Sequence, residues 1–409
     1  MVPSGWNRVR PSEVISIFNG FAFKSSDAKD TGTKWLKIAN VGIGQIKWDT
    51  QSFLPEIYAD EYSNFLLKEG DIVVALTRPT LGDKLKVARI TTDEDISLLN
   101  QRVGRIDCNN KCDSNFIFQV LQSRVLAHRI NIGLLGTDPP NLSKKVFDDF
   151  YILLPPLPEQ QKIAKILTTW DKAINTTERL IENSKQQKKA LMQQLLTGQK
   201  RLLDHSGQRF SGDWDKKKLR QITTRIQRKS DGNDHPILTI SSLSGFMTQK
   251  ERYSRFMAGE SLKKYILLKN GEFAYNKGNS KTYQFGCIFK LEEFETGLVP
   301  NIYVCFKIND DLCKDYYKFL FEADYLKPQL GRLVNTGVRN DGLLNIRPDE
   351  FLNTKVPVPP LDEQEKIAKV LRSSTRKIEL LEQQLADLQQ EKKALMQQLL
   401  TGKKRVLVD

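Results

Sequence analysis

KKALMQQLLTG occurs twice in this chain, at Lys188–Gly198 and again at Lys392–Gly402. Each copy closes a longer matched segment. The first opens Pro155-Pro156-Leu157, followed by Glu159-Gln160 and Lys162-Ile163-Ala164-Lys165. The second opens Pro359-Pro360-Leu361, followed by Glu363-Gln364 and Lys366-Ile367-Ala368-Lys369. Every matching residue lies 204 positions after its partner, with no gap. A match of this length does not arise by chance, so the chain is built twice: globular half, long helix, globular half, long helix.

The helical reading rests on apolar spacing. At alternating steps of four and three, the second copy places Ile367, Leu371, Ile378, Leu381, Leu385, Leu388, Leu395 and Leu399 on one stripe. The first places Ile163, Leu167, Ile174, Ile181, Leu191 and Leu195 there, with Thr177, Ser184 and Lys188 making its middle more polar. This is the pattern of a coiled-coil seam. The alternative is a pair of ordinary core helices in separate domains. Proline pairs mark the starts, and Asp362 with Glu365 suits a capping box. Gly198 and Gly402 mark the stops, where a left-handed cap favours glycine. Each helix is expected to hold roughly 38 residues and span about 57 Å. If the seams pair with each other, the helices run antiparallel and give the molecule a pseudo-twofold repeat.

The two halves align more weakly. Trp6 and Trp214 open them. Leu67-Lys68-Glu69-Gly70-Asp71 matches Leu268-Lys269-Asn270-Gly271-Glu272, each leading into a predicted strand, and Asn141-Leu142 matches Asn345-Ile346 by spacing. Helical stretches are expected at about Asn115–Arg129 and Asp315–Leu330. The expected class is therefore α+β: two similar recognition domains joined by two long antiparallel coiled-coil helices. The boundaries fall at 1–154 (domain), 155–204 (helical region), 205–358 (domain) and 359–409 (helical region).

Composition narrows the function. With 39% hydrophobic and 27% charged residues the chain reads as soluble and globular, and no apolar run reaches the ~18 residues of a membrane span. The N-terminus shows no secretory signal, so a cytoplasmic location is expected. The five cysteines form no C-x-x-C pair and read as free thiols. The net charge of +14 is uneven: +1 over residues 1–154 and +7 over 205–358. Such an excess points to a polyanion, most often nucleic acid. The loop residues best placed for DNA contact are Arg78, Lys84, Lys86 and Arg102 in the first half. In the second half they are Lys277, Asn279, Lys281, Arg332, Arg339 and Asn340. Arginine pairs bidentately with guanine, and asparagine with adenine.

Signs of catalysis are weak. Thr137-Asp138-Pro139-Pro140-Asn141 is superficially like an adenine methyltransferase motif, but Asn141 stands where an aromatic would stack on a flipped base. There is no G-x-x-x-x-G-K-[ST] loop for nucleotides. Glu391-Lys392-Lys393 lies within a helix and lacks an upstream acid, and His128, His205 and His235 have no metal-ligand spacing.

PPL-x-EQ-x-KIA followed by a long helix ending LLTG-x-K-R, present twice between divergent domains, resembles the specificity subunit of type I restriction-modification systems. The resemblance covers the whole chain. It implies a non-catalytic subunit that binds double-stranded DNA with two half-sites, one per recognition domain, across a spacer set by the helices. It implies recruitment of two modification subunits, which bind S-adenosylmethionine and methylate adenine at N6. Up to two restriction subunits, using ATP and Mg for translocation and cleavage, complete the expected complex. No cofactor or metal is expected on this chain. Two other classes stay open: a DNA-modifying enzyme with an unrecognised site, and a coiled-coil scaffold that joins proteins.

Overall fold

The computed structural model describes residues 2–92, 95–136, 139–252, 262, 264–278, 280–334 and 344–407. The chain forms two compact units. The first comprises Met1–Glu178 with Gln383–Asp409; the second is Arg179–Glu382. Each long helix therefore contributes one half to each unit.

In chain order, the first unit's elements used below begin with β1 (Asn7–Val9), β2 (Ile15–Asn19), β3 (Ile72–Ala75), β4 (Thr80–Leu81) and β5 (Lys84–Leu85). They continue with β6 (Val87–Arg89), β7 (Val103–Cys108), α1 (Ser114–Leu121), α2 (Arg124–Gly133), β8 (Ile152–Leu154) and the start of α3 (Leu157–Leu195). The main sheet is antiparallel, in the order β2-β7-β3-β6. Its centre is β3, Ile72-Val73-Val74-Ala75, with every side chain buried. A β-branched run of this kind suits a strand covered on both faces. Antiparallel β1 and β8 form a separate ribbon that leads directly into α3.

The second unit repeats this frame. It uses β9 (Asp215–Lys218), β10 (Thr223–Arg225), β11 (Phe273–Asn276), β12 (Cys287–Lys290), β13 (Val304–Ile308), α4 (Lys314–Glu322), α5 (Lys327–Leu333), β14 (Lys355–Val358) and α6 (Leu361–Leu399). The sheet order is β10-β13-β11-β12, and β9 pairs with β14 beside the helix start. The core is filled differently. Tyr275 stacks on Phe351 at 4.3 Å and Phe273 on Phe306 at 5.5 Å, where the first unit is mostly aliphatic.

Three expectations change in detail. The helical stretch expected near 115–129 is divided into two helices, because the Ser123 side chain accepts from the Leu126 amide and starts a new one. The stretch near 315–330 likewise breaks, at Asp324, which takes φ 55°. Asp362 lies inside the first turn of α6, not at its cap, since the Glu363 amide already donates to the Pro360 carbonyl.

The helix ends are seated by one repeated device. In the first unit the carboxylate of Glu159 accepts from Trp6 Nε1 at 2.9 Å and from Arg405 Nε and Nη2 at 2.7 and 2.8 Å. In the second, Glu363 accepts from Trp214 Nε1 at 2.9 Å and from Arg201 Nε and Nη2 at 2.6 and 2.7 Å. A bidentate guanidinium fixes both position and direction, which a lysine cannot do. The adjacent glutamine ties helix to domain. Gln160 Oε1 accepts from the Asp113 amide at 2.8 Å while its Nε2 donates to the Pro155 carbonyl, and Gln364 does the same with Cys313 and Pro359. Gly198 and Gly402 take φ of 74° and 66°, turning the chain so that each arginine reaches its glutamate.

Within the first unit the contacts 159 to 405 and 171 to 392 show the helix segments running antiparallel; in the second, 185 to 382 and 201 to 363 show the same. Ile163 and Leu167 are buried in the first unit's core with Leu399, and Leu395 packs against it. Leu195, Ile367 and Leu371 are buried in the second's, with Leu191 packed against them. Ile181 and Ile378 are buried; Ile174, Leu381, Leu385 and Leu388 are half-buried. Three polar seam positions find partners. Lys392 pairs with Asp171, Lys188 with Glu322 at 2.7 Å, and the Thr177 hydroxyl donates to the Ala173 carbonyl. Among the described residues no helix is long and apolar enough to cross a membrane.

Candidate nucleic-acid interface

In the first unit, four of the candidate residues gather around the loop that follows the central strand β3. The Leu76 amide donates to the Arg102 carbonyl at 2.9 Å, which places Arg102 beside the loop's root. The Leu142 amide donates to the Leu76 carbonyl at 2.7 Å and the Arg78 amide to the Pro140 carbonyl at 2.8 Å. Thr77 Oγ1 and Asn141 Oδ1 stand 2.7 Å apart. The Pro139-Pro140-Asn141 part of the methyltransferase-like motif is thus a scaffold for this loop; Thr137 and Asp138 lie outside the described residues. Beyond it, β4 and β5 form a short hairpin carrying Lys84, and Lys86 closes it through its amide to the Pro79 carbonyl at 2.7 Å. Arg78, Lys84 and Arg102 are exposed and Lys86 is half-buried. Burial pushes the Lys86 ammonium below its ordinary range, and the neighbouring Arg78 guanidinium adds to the push.

The second unit has the matching loop after β11. The Leu344 amide donates to the Lys277 carbonyl at 3.1 Å, the counterpart of Leu142 on Leu76. By this contact Leu142 corresponds to Leu344, two residues away from the match suggested by constant spacing, because the intervening loops differ in length. Lys277 is half-buried and Lys281 exposed. Arg332 is exposed on α5, whose Gly331 packs against Phe285 of the same loop. Lys277, Lys281 and Arg332 thus belong to one region. Asn279, Arg339 and Asn340 lie outside the described residues.

Sequence reasoning passed over two kinds of residue. Glu159, Arg405, Glu363 and Arg201 were visible only as repeated letters, since their partners stand 246 and 162 positions away. The exposed apolar side chains beside the first loop carry no pattern of their own. Among the described residues, no group of three or more His, Cys, Asp or Glu is arranged to hold a metal ion.

Comparison with known proteins adds a family. The model of the type I restriction modification DNA specificity domain matches residues 3–186 and again 211–390. The MjaVIII specificity subunit of Methanocaldococcus jannaschii is 40% identical over 202 residues, covering 49% of this chain and 48% of that protein. The EcoAI specificity subunit of Escherichia coli is 30% identical over 180 residues, 44% of this chain and 30% of that one. The chain thus aligns with half or less of the length of these two relatives. Among solved structures, the S subunit of a type I restriction-modification system from M. genitalium superposes with TM-score 0.61 at 14% identity, over 98% of this chain and 96% of that one. At that identity the likeness speaks for the fold.

Proposed function

Since this chain belongs to the family defined by the type I restriction modification DNA specificity domain, we propose that it is the specificity subunit of a type I restriction-modification complex, reading duplex DNA without itself doing chemistry. Each unit reads one half of a bipartite target. Arg78, Lys84, Lys86 and Arg102 serve the first half-site; Lys277, Lys281 and Arg332, with Asn279, Arg339 and Asn340, serve the second. Two modification subunits bring S-adenosylmethionine and methylate adenine at N6. Up to two restriction subunits bring ATP-driven translocation and cleavage.

The observation that carries this reading is the duplication. The family match falls once on each repeat, and each repeat presents a basic loop after a buried central strand. A reader of one continuous site has no need of two loops on two separate frames.

The test is genome-wide mapping of N6-methyladenine with and without this gene, in a strain where the modification subunit is expressed. One bipartite motif should vanish on deletion. Unchanged methylation refutes the reading. In vitro, saturating modification subunit should give a complex of two per chain, and a stable one-to-one complex contradicts that stoichiometry. Binding of labelled S-adenosylmethionine to the isolated chain would point instead to an enzyme.

A further inference from the structure

The hairpin of β4 and β5 has three features that basic composition does not explain. First, it is rigidly held. The Asn131 side chain bonds both the Thr80 hydroxyl and, at 2.9 Å, the Gly82 carbonyl; Asp83 pairs with Arg124 at 2.9 Å. Second, its tip is apolar. Leu81 is 66% exposed, and the residues just after its anchor Asn131 include Ile132 at 56% and Leu135 at 78%. Single exposed leucines are ordinary, but this one stands on a hairpin whose anchor, Asn131, is followed within four residues by two more exposed apolar side chains. Third, Arg78 is held at φ 47° immediately before Pro79. A side chain there is strained in its own right, and a following proline favours extended backbone instead. Such strain persists where surrounding bonds impose it, and it collects at working sites. Among the described residues neither Arg78 nor Lys86 has a side-chain hydrogen bond or ion pair, although each lies near the other. Two neighbouring cations with no acid between them fit an external anion.

A protein partner's apolar face would cover Leu81 but would leave the cation pair unneutralised. A duplex satisfies both, because it sets an apolar group, the thymine methyl, on a base edge near the phosphates. We propose that this hairpin is a groove probe, in which Leu81 makes apolar contact with base edges of the first half-site while Arg78 and Lys86 together grip one flanking phosphate. This rests on the reading of the chain as a DNA-specificity subunit and divides the work within its first loop. The tip contributes sequence preference and the cation pair contributes affinity.

The test uses the full chain with its modification subunits, selecting from a pool of randomised duplexes. Wild type should return a bipartite motif. Leu81→Ala should return it with preference lost, by roughly fivefold to tenfold, at one or two adjacent positions of one half-site. Its salt dependence should not change. Arg78→Ala with Lys86→Ala should return the wild-type motif at weaker affinity, with the slope of log affinity against log salt smaller by about one, since one phosphate is released. Placing 5-methylcytosine or uracil at the affected positions separates the grooves, because the thymine methyl lies only in the major groove. A Leu81→Ala motif identical to wild type overturns the proposal, as does an unchanged salt slope in the double variant. Loss of modification-subunit binding by Leu81→Ala with DNA selection intact would make the tip a protein contact and also overturn it. A wild-type complex that selects no motif overturns both this inference and the functional reading beneath it. Leu81 is exposed, so the thermal unfolding of Leu81→Ala should match wild type, which separates loss of contact from loss of fold.

Discussion

Replacing Glu363 or Arg201 tests whether the clamp in the second unit fixes the start of α6. The Glu363 side chain is 0% exposed and that of Arg201 16%. Arg201→Met leaves a fully buried carboxylate with one remaining donor, the Trp214 indole at 2.9 Å. Breaking one side of a buried pair typically costs about 3–5 kcal/mol, and the full burial of Glu363 puts this variant at about 4 kcal/mol. Glu363→Gln should cost less, about 2 kcal/mol, for two reasons. The amide oxygen still accepts from Trp214, and Arg201 keeps its bond to the Gly212 carbonyl at 2.6 Å and some water. The double variant removes both charges and leaves no unpaired ion. Its cost should not exceed that of Arg201→Met alone, which gives a coupling of about 2 kcal/mol. Two units need not unfold together, so the suitable measurement is native-state hydrogen exchange at amides from Gln364 to Leu371. Additive costs, with coupling below about 0.5 kcal/mol, would show that the aromatic and aliphatic packing around the pair holds the helix and that the ions are incidental.

In the first unit the same clamp should titrate. Burial alone would raise the Glu159 carboxyl, but Arg405 and the Trp6 indole outweigh it and hold the group below its ordinary value. Its contribution is therefore complete above about pH 4.5 and is lost as pH falls through the lower folded value, so Glu159→Gln should flatten the acid limb of the first unit's stability curve. Asp324 behaves oppositely. Burial raises it to about 6, against the pull of Lys327, so the folded state holds its proton longer and stability declines as pH rises from about 4 to about 6. Asp324→Asn, which tolerates the φ of 55°, should gain about 1 kcal/mol at pH 7, after discounting for solvent at this half-buried site, and nothing at pH 4, read from denaturant midpoints. Finally, Gly198→Ala and Gly402→Ala both strain a positive φ, costing about 1–2 kcal/mol. Only Gly402 would also drive its new methyl to 2.3 Å from Pro3, whereas at Gly198 the nearest atom, in Trp214, is 3.4 Å away. Thermal melts should rank Gly402→Ala as clearly the worse, and equal losses would mean that the N-terminal segment yields.

The repeated helices were legible because two local signals agree. Apolar spacing gives the length, and the Pro-Pro starts and Gly stops give the ends; both helices run 39 residues between those marks. The central strands were legible as buried runs of β-branched or aromatic residues. The division of each helix between two units was not legible, because it depends on contacts between Asp171 and Lys392 or Lys188 and Glu322, which no local pattern encodes. The break at Ser123 was hidden because one hydroxyl cap decides it within an otherwise helical run. At the candidate interface the cations of the first loop could be named from the sequence. The αL conformation of Arg78 and the exposure of Leu81 could not, since both are imposed by Pro140 and Asn131 from distant positions.

Each glutamate clamp is completed by residues from different repeats. Trp6 and Glu159 belong to the first repeat, but their arginine, Arg405, belongs to the second; Trp214 and Glu363 belong to the second, and Arg201 to the first. A polypeptide holding one repeat would therefore carry two unfinished clamps and would complete both by pairing head to tail with another copy of itself. In this sense the present chain is the covalent equivalent of such a pair. The segment between Arg201 and Trp214 joins the two repeats covalently. Joining two repeats in one chain lets the loops of the two units differ in sequence, while the clamps that seat the helices stay the same.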